Sequence, residues 1–279
     1  MVVLSLFDGI SCGRVALEKA GVNVEKYYAS EIDEESMRAS KNNYPDIIQI
    51  GDICSIGHIA GIDLLIGGSP CQGFSSSGSH KGLKDPRSKL FYEYLRIKNT
   101  VQPKWWLFEN VIMDRKSQGI ISNELGCEPL KLDAKSISAQ RRNRLYWTNI
   151  PYYTNFQKKP KTMKDVLNPS LHLEDITDRF YAKKEGTLAY VKSRKQLFSF
   201  SDQAYSMPTQ GQRISNTGAT NIKIGNRIYI YNADGAEVMH GLPEGYTRGF
   251  SKTSRYKMIG NGWHVDIVAD IFRALKNEK

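Results

Sequence analysis

Cysteine is scarce in this 279-residue chain, and its spacing fits no metal site. Cys12, Cys54, Cys71 and Cys127 lie far apart, and no histidine pair complements them. That excludes the common zinc signatures, so no metal is expected. Long apolar runs are also missing. Stretches such as Val2–Leu6 and Ile62–Ile66 are far too short to cross a bilayer. No basic region precedes the first of them and no small-residue cleavage site follows it, so a secretory signal is not expected. The expected setting is a reducing cytoplasm with free thiols, where Cys12, Cys54 and Cys127 read as small buried hydrophobes. The GxGxxG pattern of dinucleotide sites is absent too, which disfavours a nicotinamide-dependent oxidoreductase. Internal repeats and low-complexity tracts are lacking.

Acidic residues are outnumbered, and the net charge is +10. Residues 151–228 hold 13 Lys and Arg against 6 Asp and Glu, most of the excess in little more than a quarter of the chain. Such a concentration suits a polyanionic partner, nucleic acid or an anionic surface.

The order of patterns predicts an α/β fold. Val2–Leu6, Tyr27–Ser30, Ile47–Ile50, Leu64–Ile66 and Trp105–Phe108 read as strands, and Arg144–Asn149 as a further one. Helices are expected after the Asp8–Gly13 loop up to Gly21, over Glu34–Asn43 ahead of Tyr44-Pro45, and over Leu90–Val101. Alternation of this kind implies a parallel sheet with helices on both faces. Residues 151–228 have weak periodicity and few apolar runs, as a smaller, irregular module would. Beyond Gly260-Asn261-Gly262, a helix with Val265, Ile267, Val268, Ile271 and Phe272 on its apolar side is expected to dock on the first domain. The boundaries read 1–150, 151–228 and a returning segment 229–279.

Ligands of open α/β sheets bind beyond the carboxyl ends of the strands. Phe7 to Gly13 is a Gly-containing loop there, where a ligand can approach the backbone closely. Glu31 ends the second strand and suits the two hydroxyls of a ribose. Asp52 with Ile53 suits an adenine, one accepting from the amino group and the other packing on the ring. A ribose and adenine reader with no phosphate cradle points to S-adenosyl-L-methionine rather than NAD or ATP.

The fourth strand runs into Gly67-Gly68-Ser69-Pro70-Cys71-Gln72-Gly73-Phe74-Ser75, with a Cys where ligands bind. Here the chain resembles the cytosine carbon-5 DNA methyltransferase family, whose nucleophile motif is Pro-Cys-Gln. The loop through Asp85-Pro86-Arg87-Ser88 resembles that family's mobile catalytic loop, and Gln72–Ser79 could close over a flipped base. Phe7-Asp8-Gly9 through Gly13 resembles its cofactor loop, and Phe108-Glu109-Asn110 its glutamate motif. Gln140, Arg142 and Arg144 resemble Gln-x-Arg-x-Arg, and Gly260-Asn261-Gly262 its C-terminal cofactor motif. The resemblance covers residues 1–150 and about 229–279. It is nearest to bacterial and phage members, with similarity to the de novo mammalian branch. Val238-Met239-His240-Gly241-Leu242-Pro243 departs from the family's Arg-Leu-Gln-Gly-Phe-Pro.

The resemblance implies a Rossmann-like methyltransferase sheet with a smaller target-recognition domain, no membrane or metal partner, and a monomer that acts on double-stranded DNA. It implies catalytic roles for Cys71, Glu109, Arg142, Pro70, Asn110, Gln140 and Arg144. Cofactor contacts fall on Phe7, Asp8, Gly9, Ile10, Gly13, Glu31, Ile32, Asp52, Ile53, Ser69, Pro70, Leu90, Asn261, Gly262 and Trp263. The implied product of the cofactor is S-adenosyl-L-homocysteine. Carbon 5 of cytosine is a poor nucleophile until a thiolate adds at carbon 6. A free thiol titrates near roughly 8.5, so a positive neighbour such as Arg142 is needed. Glu109 would bind ring nitrogen 3 and the exocyclic amine, with a pKa raised by partial burial. The target base must leave the stack, at a cost of roughly a few kcal/mol. Lys158, Lys159, Lys161, Lys183, Lys184, Arg194 and Lys195 suit phosphates, and Gln210, Gln212, Arg213, Asn216 and Asn221 suit base edges. The competing readings are an RNA cytosine methyltransferase and a silent DNA-binding relative. Intact Cys71, Glu109 and Arg142 argue against the second.

Overall fold

The computed structural model describes residues 1–70, 90–152, 159–183, 185–206 and 220–276. Cys71 and the loop to residue 89 lie outside them, as do Lys158, Lys184, Gln210, Gln212, Arg213 and Asn216. The chain divides into two compact units. The first comprises Met1–Asp133, Asn143–Thr154 and Ile267–Lys279; the second comprises Ala134–Arg142 and Asn155–Asp266. These limits differ from 150, 228 and 229: residues 134–142 and 229–266 group with the second unit.

The first unit opens with β1 (Val2–Leu6), α1 (Cys12–Ala20), β2 (Lys26–Ser30), α2 (Glu34–Asn43), β3 (Ile48–Gln49) and β4 (Leu64–Gly67). It continues with α3 (Leu90–Val101), β5 (Trp105–Val111), α4 (Arg115–Leu125), β6 (Leu130–Asp133) and β7 (Asn143–Thr148). Local chemistry sets several of these bounds. Gly21 ends α1 at φ 75°, where an L side chain would be strained. Asp33 caps α2 by accepting from the Ser36 N–H, and the chain leaves that helix at Tyr44, ahead of Pro45.

Among the described residues the sheet has seven strands in the order β3-β2-β1-β4-β5-β7-β6. The expected parallel sheet is corrected at one edge: β7 runs antiparallel to both β5 and β6. Successive residues of β1 and β4 are buried, so both faces of the sheet are covered there. Phe91 and Tyr94 of α3 pack on Phe108 at centroid distances of 5.1 and 4.9 Å, and Trp147 lies 5.9 Å from Phe108. This cluster underlies the end of β5. Two cysteine expectations are corrected as well: Cys12 is buried, but Cys54 is exposed and Cys127 half-buried.

The second unit contains α5 (Met163–Val166), α6 (Pro169–His172), β8 (Leu173–Asp175), α7 (Thr177–Tyr181), α8 (Glu185–Ser193) and β9 (Leu197–Ser199). Then come β10 (Asn221–Ile224), β11 (Arg227–Tyr231), α9 (Ala233–Met239) and α10 (Lys252–Asn261). It is not irregular, which corrects the sequence reading. Four short strands form a sheet in the order β8-β11-β10-β9, over a core of Ile176, Phe180, Val191, Ile228 and Ile230. The segment around Val238–Pro243 is held by the fully buried Glu237. Its carboxylate accepts from the N–H groups of Gly245 and Thr247, at 2.6 and 2.8 Å, and pairs with Arg255 at 2.8 Å. The last helix, α11 (Val265–Phe272), carries the chain into the first unit, of which Ile267 onward is part. The Tyr152 hydroxyl donates to Asp270 there at 3.0 Å.

Candidate active site

The register of the first sheet brings four motif segments to one edge. Leu6 is paired with Ser30 on one side and with Gly67 on the other, and Gly67 is paired with Phe108. The next residues are therefore Glu31, Phe7 and Gly68, just beyond the carboxyl ends of β2, β1 and β4, and Glu109, in a row with them but within β5, which runs on to Val111. From β1 the order runs to β2 and β3 on one side and to β4 and β5 on the other, so the chain changes direction between β1 and β4. A crevice for ligands opens at such a switch point. Gly67 is required in that row: a Cβ there would lie 3.0 Å from the Leu6 carbonyl and 3.1 Å from the Tyr94 ring.

On the β5 side, Glu109 and Asn110 are both buried. Asn110 Nδ2 donates to the Ser69 carbonyl and hydroxyl, at 3.4 and 3.3 Å. Its Oδ1 accepts from the Val111 N–H at 2.9 Å. The buried Ser69 and half-buried Pro70, which lead into Cys71, are thus tied to the glutamate strand. Across the antiparallel pair, Glu109 faces Tyr146 and Val111 faces Arg144, so Glu109 and Arg144 are diagonal neighbours on one face. Arg144 Nε lies 3.0 Å from Glu109 Oε1. Its Nη1 donates to the Asn143 carbonyl at 2.8 Å, which orients the guanidinium.

On the β1 and β2 side, the Glu31 carboxylate accepts from the N–H groups of Gly9, Ile32 and Asp33 at 2.8, 2.8 and 2.9 Å. Ile32 beside it is 71% exposed, an apolar surface open to a ligand. Asp52 is exposed and accepts from the Cys54 N–H at 2.9 Å. Ile53, expected to pack on an adenine ring, is instead a core residue with 4% exposure. Ile10 and Gly13 are buried, while Phe7 and Leu90 are half-buried against the core. A Cβ on Gly9 would meet nothing within 4 Å, so the space above that turn is open.

Asp8 does not face that space. It is buried, accepts from the Tyr27 hydroxyl at 2.7 Å and bonds the Ser11 hydroxyl. Ser11 in turn meets Ser40 at 2.8 Å, and Ser40 meets the Gly9 carbonyl at 3.2 Å. Burial pushes the Asp8 carboxyl up to about 6, against the pull of the Ser11, Ser5 and Tyr27 hydroxyls, while the charge of Glu31 adds to the rise. Sequence reasoning missed Tyr27 and Ser40. The usable signals were a tyrosine and a serine facing the apolar side of their elements, where each hydroxyl needs a partner.

The remaining motif residues belong to the second unit. Arg142 is buried, and its guanidinium donates to the carbonyls of Gly260 and Gly262, at 3.2 and 2.8 Å, and to the Ser206 hydroxyl at 3.1 Å. Arg142 thereby fixes the C-terminal end of α10, and Ser206, which orients Arg142, is a residue that the sequence did not suggest. Gln140 is fully buried and bridges Ala204 through the backbone. Asn261 is exposed at the end of α10; Gly262 and Trp263 are half-buried. Asn221 is corrected as a base reader: it is buried, and its amide donates to the Gln196 carbonyl at 3.0 Å. Lys159, Lys183, Arg194 and Lys195 are exposed. Among the described residues no group of three His, Cys, Asp or Glu could hold a metal ion, and no helix is long and apolar enough to cross a membrane.

The fold and this edge define a Rossmann-like methyltransferase architecture. The sequence profile of C-5 cytosine-specific DNA methylases matches residues 1–227, and the chain belongs to that family. It is 38% identical over 128 residues to the orphan methyltransferase M.SPRI of Bacillus phage SPR. That match covers 44% of this chain and 28% of the phage protein. The type II methyltransferase M.FnuDI of Fusobacterium nucleatum is 26% identical, over 99% of this chain and 94% of that one. A solved structure of a prophage-encoded putative DNA modification methyltransferase from E. coli has the same fold. Its TM-score is 0.71 at 19% identity, over 99% of each chain.

Proposed function

We propose that this chain is a DNA (cytosine-5-)-methyltransferase acting on double-stranded DNA, with Cys71 as covalent nucleophile. The observation that carries the reading is the tie of Asn110 to Ser69. It couples the strand that carries Glu109 to the segment that leads into Cys71. A base entering between them would meet a carboxyl group on its nitrogen edge and a thiol beyond Pro70.

S-Adenosylmethionine supplies an electrophilic methyl group. Glu31, with one lone-pair site still open for a ribose hydroxyl, the exposed Ile32 and the open space above Gly9 support such a nucleoside-sized occupant. Phe7 to Gly13, Glu31, Ile32 and Asp52 would hold it. The Cys71 thiolate adds to carbon 6 of a cytosine swung out of the duplex. Glu109 holds ring nitrogen 3 and the exocyclic amine, and donates or shares a proton there as the ring gains electron density. Arg144 fixes the Glu109 carboxylate for that contact. After carbon 5 is alkylated, a base removes its proton and the thiolate leaves.

The exposed Lys159, Lys183, Arg194 and Lys195 suit the phosphates flanking the target. A bacterial or phage-infected cytoplasm, as part of a restriction–modification pair or as an orphan enzyme, is the setting proposed. Bisulfite sequencing of DNA from cells that express the chain tests the reading. Protected cytosines in one sequence context support it. Unmodified DNA, with methyl transfer to matched RNA, would overturn it in favour of an RNA enzyme.

A further inference from the structure

We propose that Asp8 is a positioning residue that works as a buried neutral acid, relaying its proton through Ser11 and Ser40 to fix the carbonyl of Gly9. This inference rests on the reading of Phe7–Gly13 as the cofactor loop. It departs from that reading in giving Asp8 no direct contact with the cofactor.

Protons have to balance along this chain of contacts. Asp8, Ser11, Ser40 and the Gly9 carbonyl form a row of three: Asp8 to Ser11, Ser11 to Ser40 at 2.8 Å, and Ser40 to Gly9 O at 3.2 Å. Three hydrogen bonds need three protons, and the two hydroxyls bring two. The Tyr27 proton is spent on the other carboxyl oxygen, at 2.7 Å. The third proton is available only when Asp8 is a carboxylic acid. An ionised Asp8 takes the Ser11 proton, and Ser40 must then serve either Ser11 or Gly9, not both.

Gly9 is the residue that matters, through the peptide groups on its two sides. Its N–H already donates to Glu31 at 2.8 Å, so it is held on both sides only when the relay is complete. Its surroundings lean on that hold: Phe7, Gly9 and Ser11 have φ of 57°, 59° and 60°, a region that side-chain-bearing residues rarely adopt. Ser11 precedes α1 yet makes no side-chain cap, so its hydroxyl serves the relay instead. The groups facing Asp8 are Ser5 on β1, Tyr27 on β2, Ser11 in its own loop and the like charge of Glu31. Their balance leaves the acid titrating near neutrality, at about 6.

The test is calorimetric binding of S-adenosylhomocysteine, which lacks the sulfonium charge, by the full chain at pH about 6 and about 8. Wild-type affinity should fall roughly tenfold between them, within the roughly 50-fold limit set by the loss of a neutral form titrating near 6. Asp8→Asn can donate to Ser11 as the acid does, so it should bind at both pH values as the wild type does at the lower one. Ser40→Ala breaks the relay and should bind at both as the wild type does at the higher one. A flat wild-type profile, or an Asp8→Asn profile that falls in parallel, would overturn the proposal. A second readout needs no cofactor: carbon-13 NMR of the Asp8 carboxyl in the free protein. A midpoint near 6 supports the proton holder, whereas one below about 4 removes it. Titration near 6 without any binding of S-adenosylhomocysteine would instead refute the cofactor loop itself, and with it the relay's purpose.

Discussion

Replacing Asp8 by Asn should change how stability responds to pH, in the direction opposite to that of ordinary carboxylates. The Asp8 carboxyl is raised from 3.8 to about 6 in the folded chain, so the folded state holds the proton more tightly than the unfolded one. A raised acid contributes its full share of stability below 3.8 and loses it as the pH climbs to about 6. The shift is about two units, and at about 1.4 kcal/mol each the total is about 3 kcal/mol. Roughly 2 kcal/mol of that falls between pH about 4.5 and about 7.5. The side-chain amide of the Asp8→Asn variant does not ionise and carries none of this dependence. Urea unfolding of wild type and variant across that window isolates the difference, because every other titrating group is common to both. The variant should gain about 2 kcal/mol relative to wild type on going from the lower to the higher pH. A difference that stays constant, or that runs the other way, would refute the reasoning.

Arg144→Met should cost about 3 kcal/mol, because it strands the buried Glu109 carboxylate. Adding Glu109→Gln should recover part of that in a double-mutant cycle, and additive losses would mean that the pair is not coupled. Phe108→Ala, which opens a hole between Phe91, Tyr94 and Trp147, should lower stability by about 3 to 5 kcal/mol in chemical denaturation. DNA affinity should fall roughly tenfold or more between about 50 and about 200 mM salt, measured by fluorescence anisotropy. A flat response would remove the basic stretch as the DNA-facing surface.

Much of the first unit was legible because its signals are local. Asp33 and Tyr44-Pro45 bracket α2, Gly21 stops α1, and the apolar run of β1 announces a strand buried on both faces. The direction of β7 was not legible. Asn143–Thr148 looks the same running either way, and its antiparallel pairing with β5 is decided by contacts far off in sequence. The sheet of the second unit was missed for a related reason. Its strands are three to five residues long and are stabilised by one another rather than by their own pattern. At the site, the row Glu31, Phe7, Gly68 and Glu109 followed from counting strand ends. The inward turn of Asp8, the core position of Ile53 and the burial of Asn221 did not, since an acid, an isoleucine or an asparagine in a loop motif reads equally well as a ligand contact.

A thiol–pyrimidine bond is central to the proposed activity, and trapping it is the direct measurement. Duplex DNA carrying 5-fluorocytosine, incubated with the chain and S-adenosylmethionine, should yield a covalent complex that survives denaturation. Peptide mass spectrometry should locate the bond at Cys71, and Cys71→Ala should abolish the complex while still binding S-adenosylhomocysteine. Methylation of cytosine that persists in Cys71→Ala, or an adduct on any other residue, would contradict it.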